Sequence, residues 1–231
     1  MMNAETKITA EAQAKEDLYY MVHKGIRFAN ARMLVAIGQT DPADDAAVDA
    51  TLARLAEHLE ISRSHLEHEN SAIHTAIEAR CPGGSDHASE DHGEHLNSFE
   101  ELARLAEDVA SATIDRAAKL RRLYQRFALF VADDFAHMHQ EETELQPLLE
   151  KNFTNEEMVA IHDRIVQNIP PMKMAKFLRF MLGGASPAER IGMLTGMQTG
   201  MPADIFNGMM EAVTGAKWRM GDWDALERAV C

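Results

Sequence analysis

Cysteine is nearly missing from this chain: there are two in 231 residues, Cys81 and Cys231. So few exclude a disulfide framework and a zinc–thiolate cluster. Basic residues are outnumbered, 23 against 37 acidic, for a net charge of −14. That field repels phosphate backbones and excludes general nucleic-acid binding. The local basic stretch "KLRRLYQR", Lys119 to Arg126, reads as one solvated helix face. No apolar run approaches the ~20 residues that span a bilayer, so no membrane partner is expected. The opening "MMNAETKITAEAQAKED" lacks the apolar centre of a signal peptide, and a cytoplasmic location is the expectation. Glycine and proline are sparse before residue 180, and no β pattern of any length is present.

What the chain does have is helix-forming composition. Hydrophobic residues make up 46% and charged residues 26%, enough for a sizeable core and against disorder. Apolar residues recur at helical spacing in four long runs. The first covers about Thr9 to Gln39. The second follows Asp41-Pro42, read as an N-cap with proline at the first helical position, and continues to about Arg80. "CPGGSDHAS" breaks the chain. The third run starts near Ser89 and turns around Ser111 to Asp115; the fourth ends near Asn152. Four long helices with short connections predict an all-α, up-down four-helix bundle over residues 1–152. Residues 153–231 read as shorter helices packed on that bundle. "TNEE" and "SPAE" (Thr154 to Glu157, Ser186 to Glu189) carry the capping-box pattern. Most methionines lie between Met172 and Met220, and such a stripe reads as adaptable core, with a lid or homodimer surface as the other use.

The polar residues of these helices follow a pattern of their own. His65 and Glu69 lie four apart on one helical face, and His137 and Glu141 repeat the device on the fourth helix. His23, among Met21, Val22 and Ile26, and His92 and His95, in "DHGEHL", add imidazoles from the other two helices. Imidazole nitrogens and carboxylate oxygens suit first-row metals such as iron, manganese and zinc. Facing helices of a bundle let such side chains converge. Burying two carboxylates and several imidazoles without a partner is costly, and a metal would relieve that cost and contribute to folding. Nine residues after His65, His74 points to the opposite side of an ideal helix, where it reads as a supporting or surface residue. His58, His68, His87, His139 and His162 read as solvated. Tyr20, three before His23, reads as a core tyrosine or a group that tunes the site.

The order His…His-x-x-x-Glu…His…His-x-x-x-Glu, with "HKGIR", "SHLEHENSAIH", "DHGEH" and "HMHQEE" around it, resembles the hemerythrin-like, or HHE cation-binding, domain over about residues 15 to 152. The resemblance implies a bridged non-haem di-iron centre, two iron ions, with His23, His65, Glu69, His137 and Glu141 as ligands. His92 and His95, three apart, are the third helix's contribution, and Glu142 stands as an alternative to Glu141. Zinc or manganese would suit the same donors. The resemblance further implies binding or sensing of dioxygen or a related small oxidant. Peroxidase-like or nitric-oxide-handling chemistry, or a storage or structural role for the metal, are the other uses of such a centre.

Overall fold

The computed structural model describes residues 15–214 and Leu226. Among these residues the regular structure is helical throughout, with no strand. Helix α1 spans Tyr20–Gln39; the expected start at Thr9 lies outside the described residues, and the expected helix is interrupted before Tyr20. Residues 15–19 are not helical because their backbone N–H groups are used elsewhere. Glu16 donates to Asn155 Oδ1 and Leu18 to Gln146 Oε1, while Asp17 Oδ1 accepts from the amides of Tyr19 and Tyr20. Asp17 thus supplies the missing acceptors at a helix start.

Helix α2 (Asp45–His68) is capped by Asp44, whose side chain accepts from the Ala47 amide. The expected cap at Asp41 is corrected: Asp41 instead closes a turn, accepting from the Ala43 and Asp44 amides. The helix does not end at His68. It widens into a π-helical turn, Glu69–His74, and resumes as α3 (Thr75–Arg80). Gly83, at φ 82°, takes the left-handed conformation the following loop requires. There the Glu78 carboxylate accepts from the amides of Gly83 and Ser85. Helix α4 (Asp86–Ala110) follows, then a turn ending at Asp115, and α5 (Arg116–Gln140). A second π-helical turn, Glu141–Leu145, leads into α6 (Gln146–Asn152). Both expected capping boxes are formed, Thr154 with Glu157 at the start of α7 (Asn155–Asn168) and Ser186 with Glu189 at the start of α9 (Pro187–Gly200). Between them lies α8 (Pro171–Gly184), and α10 (Ala203–Thr214) follows.

Helices α1, α2, α4 and α5 pack on one another around Met33, Ile37, Leu55, Phe99, Leu102, Leu123, Phe127 and Phe130. A second apolar cluster joins Tyr19, Ile73, Ile77, Leu145, Leu149, Phe153 and Met158. On each of the four helical runs the histidines of the site fall between residues of these two clusters. A third cluster, Leu178, Leu182, Leu194, Phe206, Met210, Val213 and Leu226, takes Met181, Met193, Met197, Met201 and Met209 at its edge. This is the adaptable core expected of the methionine stripe; Met220 lies outside the described residues.

The third cluster meets the rest of the molecule where α8 lies along α1. That crossing is built from glycine. A Cβ on Gly25 would come within 2.7 Å of the Met181 amide nitrogen, and one on Gly184 within 2.6 Å of the Lys24 carbonyl oxygen. Neither neighbour can move aside, since both are backbone. Lys24 Nζ to Glu189 Oε2, at 2.6 Å, adds an ion pair beside the crossing. Among the described residues no helix is long and apolar enough to cross a membrane.

Candidate metal centre

Four helical runs deliver imidazole and carboxylate groups to one buried point. His23 comes from α1, His65 and Glu69 from the junction of α2 with its π turn, His92 from α4, and His137 and Glu141 from the junction of α5 with the second π turn. All are buried; His23 and Glu141 are 0% exposed and Glu69 2%. The inward atom of each of these imidazoles is Nε2. His23 Nε2 lies 3.3 Å from Glu69 Oε1 and 3.4 Å from Glu141 Oε2. His65 Nε2 is 3.2 Å from Glu69 Oε1. His92 Nε2 is 3.5 Å from Glu69 Oε2 and from Glu141 Oε1, and His137 Nε2 is 3.3 Å from Glu141 Oε2.

The outward nitrogens explain why the rings face this way. His23 Nδ1 is 3.1 Å from Glu142 Oε1, and Arg27 holds that carboxylate in turn. His92 Nδ1 is 2.8 Å from Asn70 Oδ1, and His137 Nδ1 is 3.3 Å from Asp91 Oδ2. Each partner accepts, so each Nδ1 keeps its proton and Nε2 is the nitrogen that can offer a lone pair inward to a cation. Glu142, expected as an alternative ligand, therefore grips the back of His23 instead.

His74 corrects the sequence reading. It is buried, with Nδ1 3.1 Å from Ser89 Oγ and Nε2 3.7 Å from Glu141 Oε1. On an ideal helix it would point about 180° away from His65. The π turn absorbs about one extra residue and brings it to within about 80° of His65, on the inward side. His95 goes the other way. It is buried, stacks edge-on to His137 and Phe130, and its Nδ1 has no partner; like His74 it is outside the two groups of mutually close ligand atoms, but His74 alone of the two lies against a carboxylate of the site. Of the histidines expected to be solvated, His87, His139 and His162 are exposed and His68 is half-buried. His58 is not: it is buried, with Nε2 2.8 Å from Asn30 Oδ1. Asn30 Nδ2 donates onward to Asp134 Oδ2 at 2.6 Å. This chain crosses α2, α1 and α5 two turns from His65 and His23. Burial raises the Asp134 carboxyl to about 6, against the Asn30 hydrogen bond, and lowers His58 to about 4.

Tyr20 also differs from expectation. It is 46% exposed and its hydroxyl donates to Glu189. Tyr19 is the buried one, 0% exposed, its ring 5.2 Å from that of His23. The sequence signal was available, since four residues before His23 is closer to its face than three.

The electrostatics are those of a site lacking positive charge. Burial would lower His23, but Glu142 and Glu69 outweigh it and raise the imidazole to about 10. Burial lowers His65 to about 4, only partly opposed by Glu69. Burial would raise Glu141, yet the His74, His92, His137 and His23 imidazoles around it hold it well below the usual carboxylate range. Among the described residues, His65 Nε2, His74 Nε2, Glu69 Oε2 and both Glu141 oxygens are buried without a hydrogen-bond partner. His92 Nε2 and His137 Nε2 face each other at 3.0 Å, an arrangement in which two lone pairs oppose unless a cation or proton lies between them. So many electron-pair donors, buried and turned toward one point, fit a metal ion. Two overlapping groups could each hold one: Glu69, His92, His137 and Glu141, and His23, His65 and Glu69. No protein-family model matches the chain, and no curated protein matches it.

Proposed function

We propose that this chain is a hemerythrin-like protein that holds two iron ions and uses them to bind or sense dioxygen or a related small oxidant. The observation that carries the reading is the inward convergence of the Nε2 atoms of His23, His65, His92 and His137 with two carboxylates, joined by His74 Nε2 3.7 Å from Glu141 Oε1, with the Nδ1 atoms of His23, His74, His92 and His137 held from behind. His23 and His65 would hold one ion and His74, His92 and His137 the other, with Glu69 and Glu141 reaching both. Five imidazoles and two carboxylates using both oxygens would take nine of the twelve positions of two six-coordinate shells and leave room for small exogenous ligands. Iron in such a set supplies a redox-active centre with room for a small diatomic ligand.

The protein's own part is positioning and exclusion. Glu142 with Arg27, Asn70, Asp91 and Ser89 fix the tautomers and ring planes, and the apolar clusters on either side keep water from the site. An up-down four-helix bundle is supported by the order of the clusters along the chain. α1 and α4 pass from the Tyr19 cluster to the Phe127 cluster, while α2 and α5 run the other way.

The test is to purify the protein reduced and without oxygen, measure its metal, admit air and record the visible spectrum. Two irons per chain with an oxygen-dependent charge-transfer band is the expected result. Zinc, manganese or no metal in their place would end the proposal.

A further inference from the structure

Among the described residues, the converging polar atoms of the site are imidazole Nε2 and carboxylate oxygens, the atoms that bind a cation. Tyr19 differs. Its hydroxyl is a hydrogen-bond donor, buried beside the site and without any partner among the described residues. A buried hydroxyl is normally satisfied, and tyrosine usually finds a partner for its O–H, so an orphan here points to something the folded chain itself does not supply.

The position of Tyr19 is held rigidly. It sits at the N-cap of α1, four residues before His23. Its amide is bonded to Asp17 Oδ1 at 3.0 Å. The preceding Leu18 amide is held by Gln146 Oε1, and Gln146 Nε2 donates to Glu16 O at 3.1 Å. Gln146 itself directly follows the second π turn. The phenol ring belongs to the apolar cluster that holds Ile73 and Leu145, from the two π turns, and tilts 41° against the His23 ring. The phenol thus stands at the end of the site between the two widened turns. The Glu141 and Glu69 carboxylates, after burial, are what act on it most strongly.

Resting on the iron reading above, we infer that the Tyr19 hydroxyl donates a hydrogen bond to the small ligand held at the site, dioxygen or a monoanion with an acceptor atom. The chain would then discriminate in favour of ligands that accept a hydrogen bond on that side. The neighbouring Tyr20 does not compete for the role, since its hydroxyl is turned out to Glu189.

The test uses the full iron-loaded chain and Tyr19→Phe, which keeps the ring and removes only the hydroxyl. Sodium azide is titrated into the oxidised proteins, and the azide stretching band is recorded in H2O and D2O. The expected result is unchanged iron content in the variant, an azide Kd raised about tenfold, and a solvent-isotope shift of the band present in the parent and absent in Tyr19→Phe. The metal-free variant is expected to melt no lower than the metal-free parent, because an unpartnered polar group has been removed. Equal azide affinities, or a phenolate charge-transfer band in the parent that disappears in the variant, would overturn the inference. The first outcome makes Tyr19 a packing residue and the second makes it a ligand. If the parent takes up no iron pair, the iron reading fails along with this one. If it takes up the pair and azide binding is indifferent to Tyr19, only the present inference fails.

Discussion

Replacing His74 and His95 by alanine, one at a time, tests whether the π turn decides which histidines serve the metal. His74 is turned toward Glu141 by that turn, with Ser89 behind it; His95 is buried nearby, edge-on to His137 and Phe130. Loss of a group that merely orients a metal ligand lowers affinity about 10–100-fold. Loss of the ligand itself belongs at the top of that range, so His74→Ala is expected to weaken metal binding about 100-fold. A metal present at about 1,000 times its Kd stabilises the fold by about 4.1 kcal/mol. A hundredfold weaker site at the same metal concentration retains about 1.4 kcal/mol. For a chain of this size each kcal/mol shifts Tm by about 2–4 °C. The metal-induced rise in Tm should therefore shrink by about 5–11 °C in His74→Ala. In His95→Ala the rise should persist in full, whatever the emptied ring space does to the baseline stability. The assay is a pair of thermal melts, with metal and with chelator, alongside metal content. If His95→Ala lost the metal-induced rise and His74→Ala kept it, the π-turn assignment would be wrong.

Three further outcomes are expected. Gly25→Ala forces a methyl group against the Met181 backbone and should lower stability by about 1–3 kcal/mol, with α8 becoming more susceptible to proteolysis; a neutral effect would mean the α1–α8 crossing is looser than described. Asn30→Ala leaves both His58 and Asp134 without their hydrogen-bond partner and should cost about 1–3 kcal/mol for each group stranded, measured by urea unfolding with chelator present. Glu189 is held to about 2 by Lys24 and by the Ser186 amide and hydroxyl, against an ordinary value of 4.5. A depressed carboxyl contributes stability that is present above pH 4.5 and is lost as pH falls toward 2. The unfolding midpoints of the parent and Glu189→Gln should therefore differ at neutral pH and converge in acid; a gap that persisted at pH 2 would assign the effect to something other than the carboxylate.

The helical runs and most of the candidate ligands were legible in the sequence because both rest on local periodicity. Leu55, Phe99, Phe127 and Phe130 are core for the same reason that His65 and Glu69 share a face. The misses have separate causes. A constant 100° per residue carries His74 away from the site, and nothing in "ENSAIH" announces the wider turn that brings it back. His58 was read as solvated although it lies seven residues before His65, on the same face. Its partners, Asn30 and Asp134, come from α1 and α5, and pairings across helices leave no trace in spacing. The start of α1 slipped for a related reason: Gln146 and Asn155, more than a hundred residues away, take the amides that a helix beginning at Thr9 would have used. Tyr19 against Tyr20 was decided by one step of helical angle.

The two π turns have a consequence for how this centre tolerates change. Each opens at one of the carboxylates and each sets the phase of everything after it, His74 and Ile77 in one case, Gln146 and Leu149 in the other. Chain length between Glu69 and His74 is thus as much a determinant of the site as the identity of any side chain. An insertion of one residue in "NSAI" that the turn does not absorb would leave every donor in the sequence and add one helical step of about 100°. His74 would then swing about 100° out of alignment, together with the apolar residues that seal that end of the bundle. Substitution scanning alone would pass over this dependence, whereas single-residue insertions and deletions would expose it.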